Sequence, residues 1–270
     1  RDGGQLDPIS YIKEKYPLPA IAQQLAQWNN LRVLIIGDTI IDEYCFVEIK
    51  GRAMKDPMLS TNFAYQEQYA GGILAIANHV SNFVKQVTLV TILGDNDQWK
   101  DFVTSHLSKN ITPHFFEKKN SPTTRKRRYV NRLRNEKLFK VEYMNDKQID
   151  QELEKKLTPF LTQQCAAHDL VIVGDFGHGF LNSSLISLLE KHAKFLTVNA
   201  QTNSANLGFN FVTKYNTPHF VSMDGTELKF AVGEQSENYM ELAQKLYTRK
   251  KFPKFLVTLG KDGVAYVNNG

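Results

Sequence analysis

The stretch Val33-Leu34-Ile35-Ile36-Gly37-Asp38-Thr39-Ile40-Ile41-Asp42 decides how this 270-residue chain is organised. Its first four residues form an apolar run, rich in β-branched side chains, that is typical of a strand buried on both faces. Gly37-Asp38 ends this predicted strand, and Asp42 adds a second carboxylate four residues after Asp38. Carboxylates only accept hydrogen bonds, so this pair suits a ligand with paired hydroxyls. The structural alternative is a turn or cap role for Asp38 and a solvated Asp42.

Strand and helix patterns alternate along the rest of the chain. Buried strands are predicted at residues 87–93, 170–173, 195–198, 219–222 and 255–259, and helices at about 73–84, 98–107, 150–163 and 182–193. Such alternation predicts right-handed βαβ units and a mostly parallel sheet with helices on both faces, a three-layer α/β/α fold. Ligands of such folds bind beyond the carboxyl ends of the strands, so the candidate site residues follow the predicted strands.

The first 70 residues hold two less regular regions. Residues 1–30 contain a Gly-Gly pair and three prolines before a helical stretch around Ile21–Trp28, which indicates a linker and one short helix. Residues 46–70 lack helical periodicity, as expected of a small excursion of strands and loops. The chain begins without an initiator Met or a signal-peptide pattern, so we expect a piece of a longer polypeptide.

The composition is that of a folded domain without a membrane span. Apolar residues make up 42% of the chain, and no apolar run approaches the roughly 20 residues that cross a bilayer. Cys45 and Cys165 are far apart and neither belongs to a CxxC pair, so we expect reduced thiols in a cytoplasmic protein. The net charge is +5, yet outside the segment 125–134 only 27 basic residues face 28 acidic ones. The excess is local, which argues against a general nucleic-acid-binding surface.

The basic segment 125–134 contains six Lys or Arg residues and no acidic one. Apolar residues on both sides, such as Leu138–Val141, favour a β-hairpin. With Thr123 and Thr124 before it, the segment suits a clamp on the phosphate of a small molecule, because Arg binds phosphate in bidentate fashion. A plain solvated strand and a nucleic-acid patch remain the alternatives.

Alternation along a strand divides this segment between two faces. The even-numbered Lys126, Arg128 and Arg132 are predicted to lie on one face, turned toward a ligand. Arg125 and Arg127 are predicted to point the other way, toward solvent.

Asp175 lies in the stretch Gly174-Asp175-Phe176-Gly177-His178-Gly179, directly after a predicted strand. Three glycines in six residues allow a ligand to approach the backbone closely. We expect Asp175 to share a cleft with Asp42, where one of the two carboxylates has a raised pKa or is relieved by Mg²⁺ or by the basic strand. The alternative is a cap on the helix that starts near Leu181.

Two further motifs open predicted helices. Gly71-Gly72 leaves backbone N–H groups free for a polyol or an anion, or else forms a plain tight turn. Asp224-Gly225-Thr226-Glu227 matches a capping box. Its functional interpretation is placement of water-bound Mg²⁺ near phosphates, because Mg²⁺ prefers few carboxylates and many waters.

Six stretches, in this order, resemble the ribokinase-like (PfkB-type) carbohydrate kinases over about residues 31–270. They are Val33–Tyr44, Ala70–Gly72, Pro122–Arg132, Val171–Gly179, Asp224–Glu227 and Val257–Gly263. Within the family, the chain most resembles the kinase half of bifunctional heptose-7-phosphate kinase/nucleotidyltransferases. The resemblance implies a ribokinase-like (Rossmann-like) fold with a small β lid from about residues 46–70 and 112–143. It also implies ATP-dependent phosphorylation of a sugar or sugar phosphate with Mg²⁺.

The resemblance assigns roles to individual residues. It assigns Asp42, Gly71 and Gly72 to sugar hydroxyls, and Lys126, Arg128 and Arg132 to an anionic group on the sugar. It assigns Thr258, Gly260 and Gly263 to the nucleotide. Asp224 and Glu227 are assigned to phosphate and Mg²⁺, with Glu227 as the metal residue. Asp175 joins the substrate residues through its expected place beside Asp42.

Departures from the family pattern motivate a second hypothesis. Ala75 replaces the Asn of Gly-Gly-x-x-Asn, Asn199-Ala200 replaces Asp-Pro, and Asp224 replaces the Asn of Asn-x-x-Glu. The family's catalytic Gly-Ala-Gly-Asp loop falls beyond Gly270, so we expect no catalytic residue in this C-terminally incomplete domain and no turnover by the piece alone. The alternative function is a binding or structural module, without catalysis, of a larger multidomain protein.

The expected partners are small molecules, with neither nucleic acid nor membrane among them. The resemblance leaves open a homodimer through the β lid and a fused nucleotidyltransferase domain.

Overall fold

The computed structural model describes residues 8–202 and 209–269, and within them eight α-helices and eleven β-strands. The helices are α1 (Pro8–Lys15), α2 (Leu18–Trp28), α3 (Ile73–Val80), α4 (Lys100–Ser105), α5 (Gln151–Ala167), α6 (Ser183–His192), α7 (Gly225–Val232) and α8 (Tyr239–Lys250). The strands are β1 (Val33–Arg52), β2 (Leu59–Gly72), β3 (Val87–Gly94), β4 (Ile111–Lys118), β5 (Arg125–Asn131), β6 (Glu136–Tyr143), β7 (Leu170–Asp175), β8 (Leu196–Ala200), β9 (Phe220–Asp224), β10 (Lys254–Thr258) and β11 (Val264–Asn268). In the described part of the chain, no helix is long and apolar enough to cross a membrane.

Eight strands form the central sheet, in the order β11-β10-β9-β8-β7-β1-β3-β4. All neighbours are parallel except β11, which returns antiparallel to β10. Side chains alternate along β1 and supply both cores: Leu34 and Ile36 pack with α5 and α6, and Val33 and Ile35 pack with α3. The predicted α/β fold with helices on both faces of a mostly parallel sheet is therefore confirmed.

The strand β1 is much longer than the sequence predicted. It does not end at Gly37-Asp38 but runs for 20 residues without a break. Residues 33–38 pair with β3 in the central sheet, and residues 39–52 pair with β2 in a second sheet. The predicted end was wrong because Gly37 is not a turn residue here: it lies directly opposite Gly174 of β7, where two backbones come very close.

The second sheet occupies the region of the expected β lid, with different bounds, and is called the lid below. It has the strand order β2-β1-β5-β6 and comprises residues 39–72 and 125–143. The expected bounds of 46–70 and 112–143 were wrong at β4, which pairs with β3 along its whole length and belongs to the central sheet. Phe116 of β4 packs on Phe160 of α5, so the apolar side chains of this strand are used in the core and not in the lid.

The N-terminal region contains two helices, where the sequence predicted a linker and one. Residues 1–7 lie outside the described residues, α1 begins at Pro8, and α2 has Pro19 at its start. Proline is well tolerated in the first turn of a helix, where its missing N–H has no partner to lose. Pro8 and Pro19 therefore lie at the starts of helices and not in the expected linker.

Gly37 is the glycine on which the central sheet depends most directly. A Cβ at this position would overlap the carbonyl oxygen of Gly174, which is backbone and cannot turn away. We expect Gly37→Ala to lower the free energy of unfolding by about 3 kcal/mol, at the upper end for overpacking. Chemical denaturation measures this loss.

Gly233→Ala is the matched control, because a Cβ there meets no atom within 4 Å and only the positive φ of 76° is strained. Its expected cost is about 1 kcal/mol. Equal losses for the two variants would contradict the close approach of β1 and β7.

Candidate functional site

Asp42 lies on β1 just beyond the point where this strand leaves the central sheet. It pairs with Tyr69 of β2 on one side and with Lys126 of β5 on the other. Gly71 packs against it so closely that a Cβ would overlap the Asp42 carboxylate. Gly72 has a φ of 57° and is followed by α3, whose start has no side-chain cap. The structure therefore places Asp42 beside Gly71 and Gly72, the residues to which the resemblance assigns a shared role.

Lys126 and Arg128 share the face of the lid that carries Asp42, which confirms this part of the predicted alternation. Nη1 of Arg128 donates to Oδ1 of Asp42 at 2.6 Å. Lys126 is 9% exposed, and its burial lowers the pKa of its ammonium group, while the nearby Glu142 opposes this shift. The cluster thus offers one ion-paired guanidinium and one buried amine near a carboxylate.

Arg125 and Arg127 point to the other face, as predicted, but not to solvent. Both meet Glu43, whose side chain is fully buried: Nε of Arg127 lies 2.8 Å from Oε2, and Nη1 of Arg125 lies 3.7 Å from Oε1. Amide groups of Gln66 and Gln68 also donate to Glu43. The hydrogen bond to Glu43 raises the pKa of Arg127. The expectation of solvated arginines was wrong because a buried carboxylate requires cationic partners.

Arg132 lies outside this cluster. It follows β5 and pairs with Glu48 at 2.8 Å, with both side chains partly exposed. Six residues of extended strand separate it from Lys126, which is roughly 20 Å. The expectation that Lys126, Arg128 and Arg132 hold one anion together is therefore corrected to Lys126 and Arg128.

Asp175 is not in a common pocket with Asp42. The two carboxylates line separate grooves, of about 530 Å³ at the lid for Asp42 and about 490 Å³ beside α6 for Asp175. Parallel pairing of Gly37 with Gly174 brings Asp38, and not Asp42, to the position beside Asp175. The alternative role as a helix cap is also wrong, because α6 starts at Ser183 and is capped by Asn182.

The environment of Asp175 is a buried polar network that the sequence did not predict. The side chain is 2% exposed and accepts a hydrogen bond from the Tyr215 hydroxyl at 2.8 Å. Nζ of Lys214 lies 2.5 Å from Oδ2 of Asp175, so the relieving cation comes from the segment after β8 and not from the lid. Burial, with Asp175 nearby, raises the pKa of Tyr215 well above its usual value and keeps it neutral.

The predicted nucleotide residues lie at the far side of the same sheet edge. Thr258 of β10 pairs directly with Asp224 of β9. Gly260 and Gly263 have positive φ values of 59° and 94°, and a Cβ at either would meet only open space. The segment therefore leaves an accessible backbone surface beside Asp224.

Asp224 and Glu227 form a full capping box at the start of α7. Oδ1 of Asp224 accepts from the Glu227 N–H at 2.7 Å, and Oε2 of Glu227 accepts from the Asp224 N–H at 2.8 Å. Burial raises the pKa of Glu227. Among the described residues no group of three or more His, Cys, Asp or Glu side chains is arranged to hold a metal ion directly. Asp224 is exposed, which suits a metal bound through water.

The aromatic side chains beside Asp42 were not predicted from the sequence. Tyr44 and Tyr69 meet edge to face at 5.9 Å, and the Arg128 guanidinium lies 5.3 Å from the Tyr44 ring centre. Phe46 stacks on Tyr65 farther along. The alternation Asp42-x-Tyr44-x-Phe46 was the available signal, since period two places all three on one face.

The two ion pairs of the lid differ in burial and therefore in their contribution to stability. Arg127→Met leaves the fully buried Glu43 carboxylate with a weaker set of partners, and we expect a loss of about 3 kcal/mol in the free energy of unfolding. Arg132→Met removes only a partly exposed pair with Glu48, so its expected cost is below about 1 kcal/mol. Urea denaturation of both variants compares them, and a larger loss at Arg132 would reverse the assignment of the two faces.

A model of the pfkB family of carbohydrate kinases matches residues 30–270. The chain is 24% identical over 247 residues to the bifunctional protein HldE of Helicobacter pylori (strain G27), covering 88% of this chain and 51% of that protein. It is 23% identical over 254 residues to the D-beta-D-heptose 7-phosphate kinase of Bordetella bronchiseptica, covering 93% of this chain and 75% of that protein. The chain therefore spans about half the length of the bifunctional relatives.

Solved structures show the same fold. Phosphofructokinase-2 from Escherichia coli, in complex with fructose-6-phosphate, has a TM-score of 0.65 at 15% identity and covers 88% of this chain and 77% of its own. A carbohydrate kinase from Agrobacterium tumefaciens has a TM-score of 0.60 at 15% identity, covering 88% and 73%. Because the family match extends over nearly all of the chain, this protein belongs to the pfkB family of carbohydrate kinases.

Proposed function

We propose that this chain is the kinase domain of an enzyme that transfers the terminal phosphoryl group of ATP to a hydroxyl of a sugar phosphate of the heptose 7-phosphate class. The observation that carries the proposal is the grouping of Arg128 and Lys126 beside Asp42 at the base of the lid. Cationic groups next to a carboxylate suit a ligand that has both an anionic group and hydroxyls. The relative named D-beta-D-heptose 7-phosphate kinase supports the substrate class.

In this proposal, Asp42 accepts hydrogen bonds from sugar hydroxyls, and the guanidinium of Arg128 binds the phosphate already on the sugar. Arg128 already contacts Asp42 at 2.6 Å. When the sugar phosphate binds, the guanidinium can contact both Asp42 and the phosphate, because it has five N–H donors. Tyr44 and Tyr69 supply apolar walls for the faces of the sugar. The lid thus orients the acceptor hydroxyl toward the sheet edge, and orientation contributes a large part of the catalysis of phosphoryl transfer.

ATP would lie across the opposite half of the edge, along Thr258, Gly260 and Gly263. Four strand spacings separate β10 from β1, which is roughly 19 Å. A nucleotide with an extended triphosphate spans most of that distance, so its terminal phosphate would reach the acceptor near β7 and β1.

The residues present suit Mg²⁺ bound through water. Asp224 and Glu227 each use one oxygen in the capping box, and the exposed Asp224 has a second one for a metal-bound water. Bound there, Mg²⁺ would neutralise charge on the transferred phosphoryl group. The capping box fixes both carboxylates at the helix start, where the positive end of the α7 dipole also favours phosphate.

The acid–base residue of the transfer would come from the family's Gly-Ala-Gly-Asp segment, a pattern that residues 1–270 do not contain. A fused nucleotidyltransferase domain is supported by the bifunctional relatives, whose length is about twice that of this chain. Pairing of two chains through the lid is supported by β2, whose side chains Phe63 and Tyr65 are exposed. We place the enzyme in the cytoplasm.

A second candidate is a kinase-like module that binds ligands without catalysis. The observation that favours it is the capping box itself, because Asp224 and Glu227 have a complete structural role without any metal. Ala75 and Asn199-Ala200, which stand where the family pattern has Asn and Asp-Pro, point the same way.

Arg128→Ala tests the proposed phosphate contact in the full-length protein. We expect kcat/KM for a sugar phosphate with MgATP to fall about 10- to 100-fold, since a hydrogen bond to a charged group contributes about 1.5–3 kcal/mol. Turnover of the unphosphorylated sugar would change little. Coupled measurement of ADP release gives both values.

Arg132→Ala is the control, because Arg132 belongs to the same basic segment but pairs with Glu48. Arg132→Ala should leave kcat/KM for both substrates within about twofold of the value for the unaltered enzyme. If Arg128→Ala lowered kcat/KM equally for the phosphorylated and the unphosphorylated sugar, the proposed contact between Arg128 and the phosphate would be contradicted.

Glu227→Gln separates the two candidate functions. Glutamine can still accept from the Asp224 N–H, so the free energy of unfolding should change by less than about 0.5 kcal/mol. Loss of the negative charge near Mg²⁺ should lower kcat at least about 10-fold, in the range for a displaced phosphoryl-transfer group. No phosphotransfer by the unaltered full-length protein, together with ligand binding, would favour the module without catalysis.

A further inference from the structure

Two polar atoms at the carboxyl edge of the sheet are buried without a hydrogen-bond partner. They are Oδ1 of Asp38 and Nε2 of His178, on residues that are each 2% exposed. The other polar atoms of these side chains are engaged: Oδ2 of Asp38 accepts from the Phe176 N–H at 3.0 Å, and Nδ1 of His178 lies 2.8 Å from Oδ1 of Asp146. Buried polar atoms in native proteins are nearly always paired with protein or ordered water. These two atoms therefore indicate a bound ligand.

Both side chains line one small cavity between the ends of β1, β3 and β4. Lys118, Thr123 and Asn145 are among the other residues that line it. Its volume of about 10 Å³ is that of a single water-sized sphere. A buried water needs at least two polar partners, and Asp38 and His178 supply them.

Lys118 excludes a metal ion from this cavity. The residue is 7% exposed, and its ammonium group donates to the carbonyl oxygens of Asn145 at 2.5 Å, of His178 at 3.1 Å and of Lys147. No carboxylate in the described part of the chain lies within ion-pair distance of it. Its charge is therefore uncompensated by direct contact and repels a second cation at short range.

Negatively charged groups outnumber positively charged groups around the cavity. The groups that face it or its lining residues are the carboxylates Asp38 on β1, Asp97 after β3, Asp146 after β6 and Asp175 on β7, the ammonium groups Lys118 on β4 and Lys214 after β8, the imidazole His178, and the neutral phenol Tyr215. Four carboxylates against two ammonium groups leave an excess of negative charge. Burial raises the pKa of Asp38, with the nearby His178 opposing the shift and Asp175 adding to it.

We propose that this cavity is a binding site for one water molecule that bridges Oδ1 of Asp38 and Nε2 of His178, and that folding favours the protonated form of Asp38 there. With Nδ1–H of His178 directed at Oδ1 of Asp146, Nε2 accepts a hydrogen bond from the water. The protonated carboxyl of Asp38 donates to this water through its O–H, whereas an ionised Asp38 accepts from the water instead.

The position of the site links its proton to the lid. Asp38 is the last residue of β1 that pairs with β3, and Thr39 is the first that pairs with β2. Lys118 ties the segment 145–147 to the loop at His178 across the same cavity. Loss of the proton leaves a buried negative charge where the central sheet and the lid meet, which destabilises this junction.

A high-resolution crystal structure of the unaltered full-length protein tests the site directly. The expected result is one water within hydrogen-bond distance of both Oδ1 of Asp38 and Nε2 of His178. A dry cavity, a metal ion in it, or direct contact between Asp38 and His178 would overturn the proposal. This test involves no substitution, so it stands even if a variant fails to fold.

The pH dependence of stability tests the proton. Because the pKa of Asp38 is raised by folding, the folded protein keeps a proton that the unfolded chain releases above about pH 4, and stability falls as pH rises through the folded-state value. Asp38→Asn removes one negative charge and the need for the proton, while its amide oxygen can still accept from Phe176. We expect Asp38→Asn to raise the melting temperature at pH 8 by more than at pH 5.

Asp169→Asn is the matched control. Asp169 is held by Arg32, whose hydrogen bonds lower the pKa of this carboxyl, so the sign is opposite. Asp169→Asn should lower the melting temperature at both pH values or leave it unchanged. An Asp38→Asn variant that follows the same course, with no gain at pH 8 over pH 5, would show that folding does not favour the protonated form of Asp38 and would overturn that part of the proposal.

Discussion

Strand β1 belongs to two sheets, and the arrangement of the whole site depends on its continuity. Its first six residues, Val33–Asp38, are held by backbone hydrogen bonds between β3 and β7, and the following residues are held between β2 and β5. The lid therefore has no flexible connection to the sheet at this strand. Asp42 and its partner Arg128 are positioned by the same ladder that orders the central core, which gives a rigid support to the proposed substrate contacts.

The fold was largely predictable because the spacing of apolar residues indicates which segments are strands and which are helices. Four consecutive buried residues in β1 and helical spacing after Gly72 follow from the two-sided burial of a parallel sheet, and both features are visible in one sequence. The ends of the elements were predicted less well. Gly37 was expected to end the strand, whereas here it permits the close approach of Gly174. Pro8 and Pro19 were expected to belong to a linker, although each lies at the start of a helix.

The site was less predictable because it depends on pairing across long distances in sequence. The alternation of side chains along a strand correctly placed Arg128 and Arg127 on opposite faces. No local sequence pattern indicated that Glu43 is buried and pairs with Arg125 and Arg127. The same holds for Asp175: its partners Lys214 and Tyr215 lie about 40 residues later, and its neighbour on β1 is set by a strand register that no single motif encodes. Family resemblance pointed to the region of the candidate site, whereas the register of β1 determines which groups meet within it.

Amide hydrogen exchange along β1 of the full-length protein tests the central claim, that lid and sheet are one hydrogen-bonded unit joined by this strand. The account predicts that hydrogen-bonded amides on both sides of the junction, in Val33–Gly37 and in Ile41–Cys45, exchange with similar, slow rates and respond together to denaturant. Slow exchange confined to Val33–Gly37, with amides of Ile41–Cys45 exchanging orders of magnitude faster, would contradict it, because the lid would then open independently of the sheet.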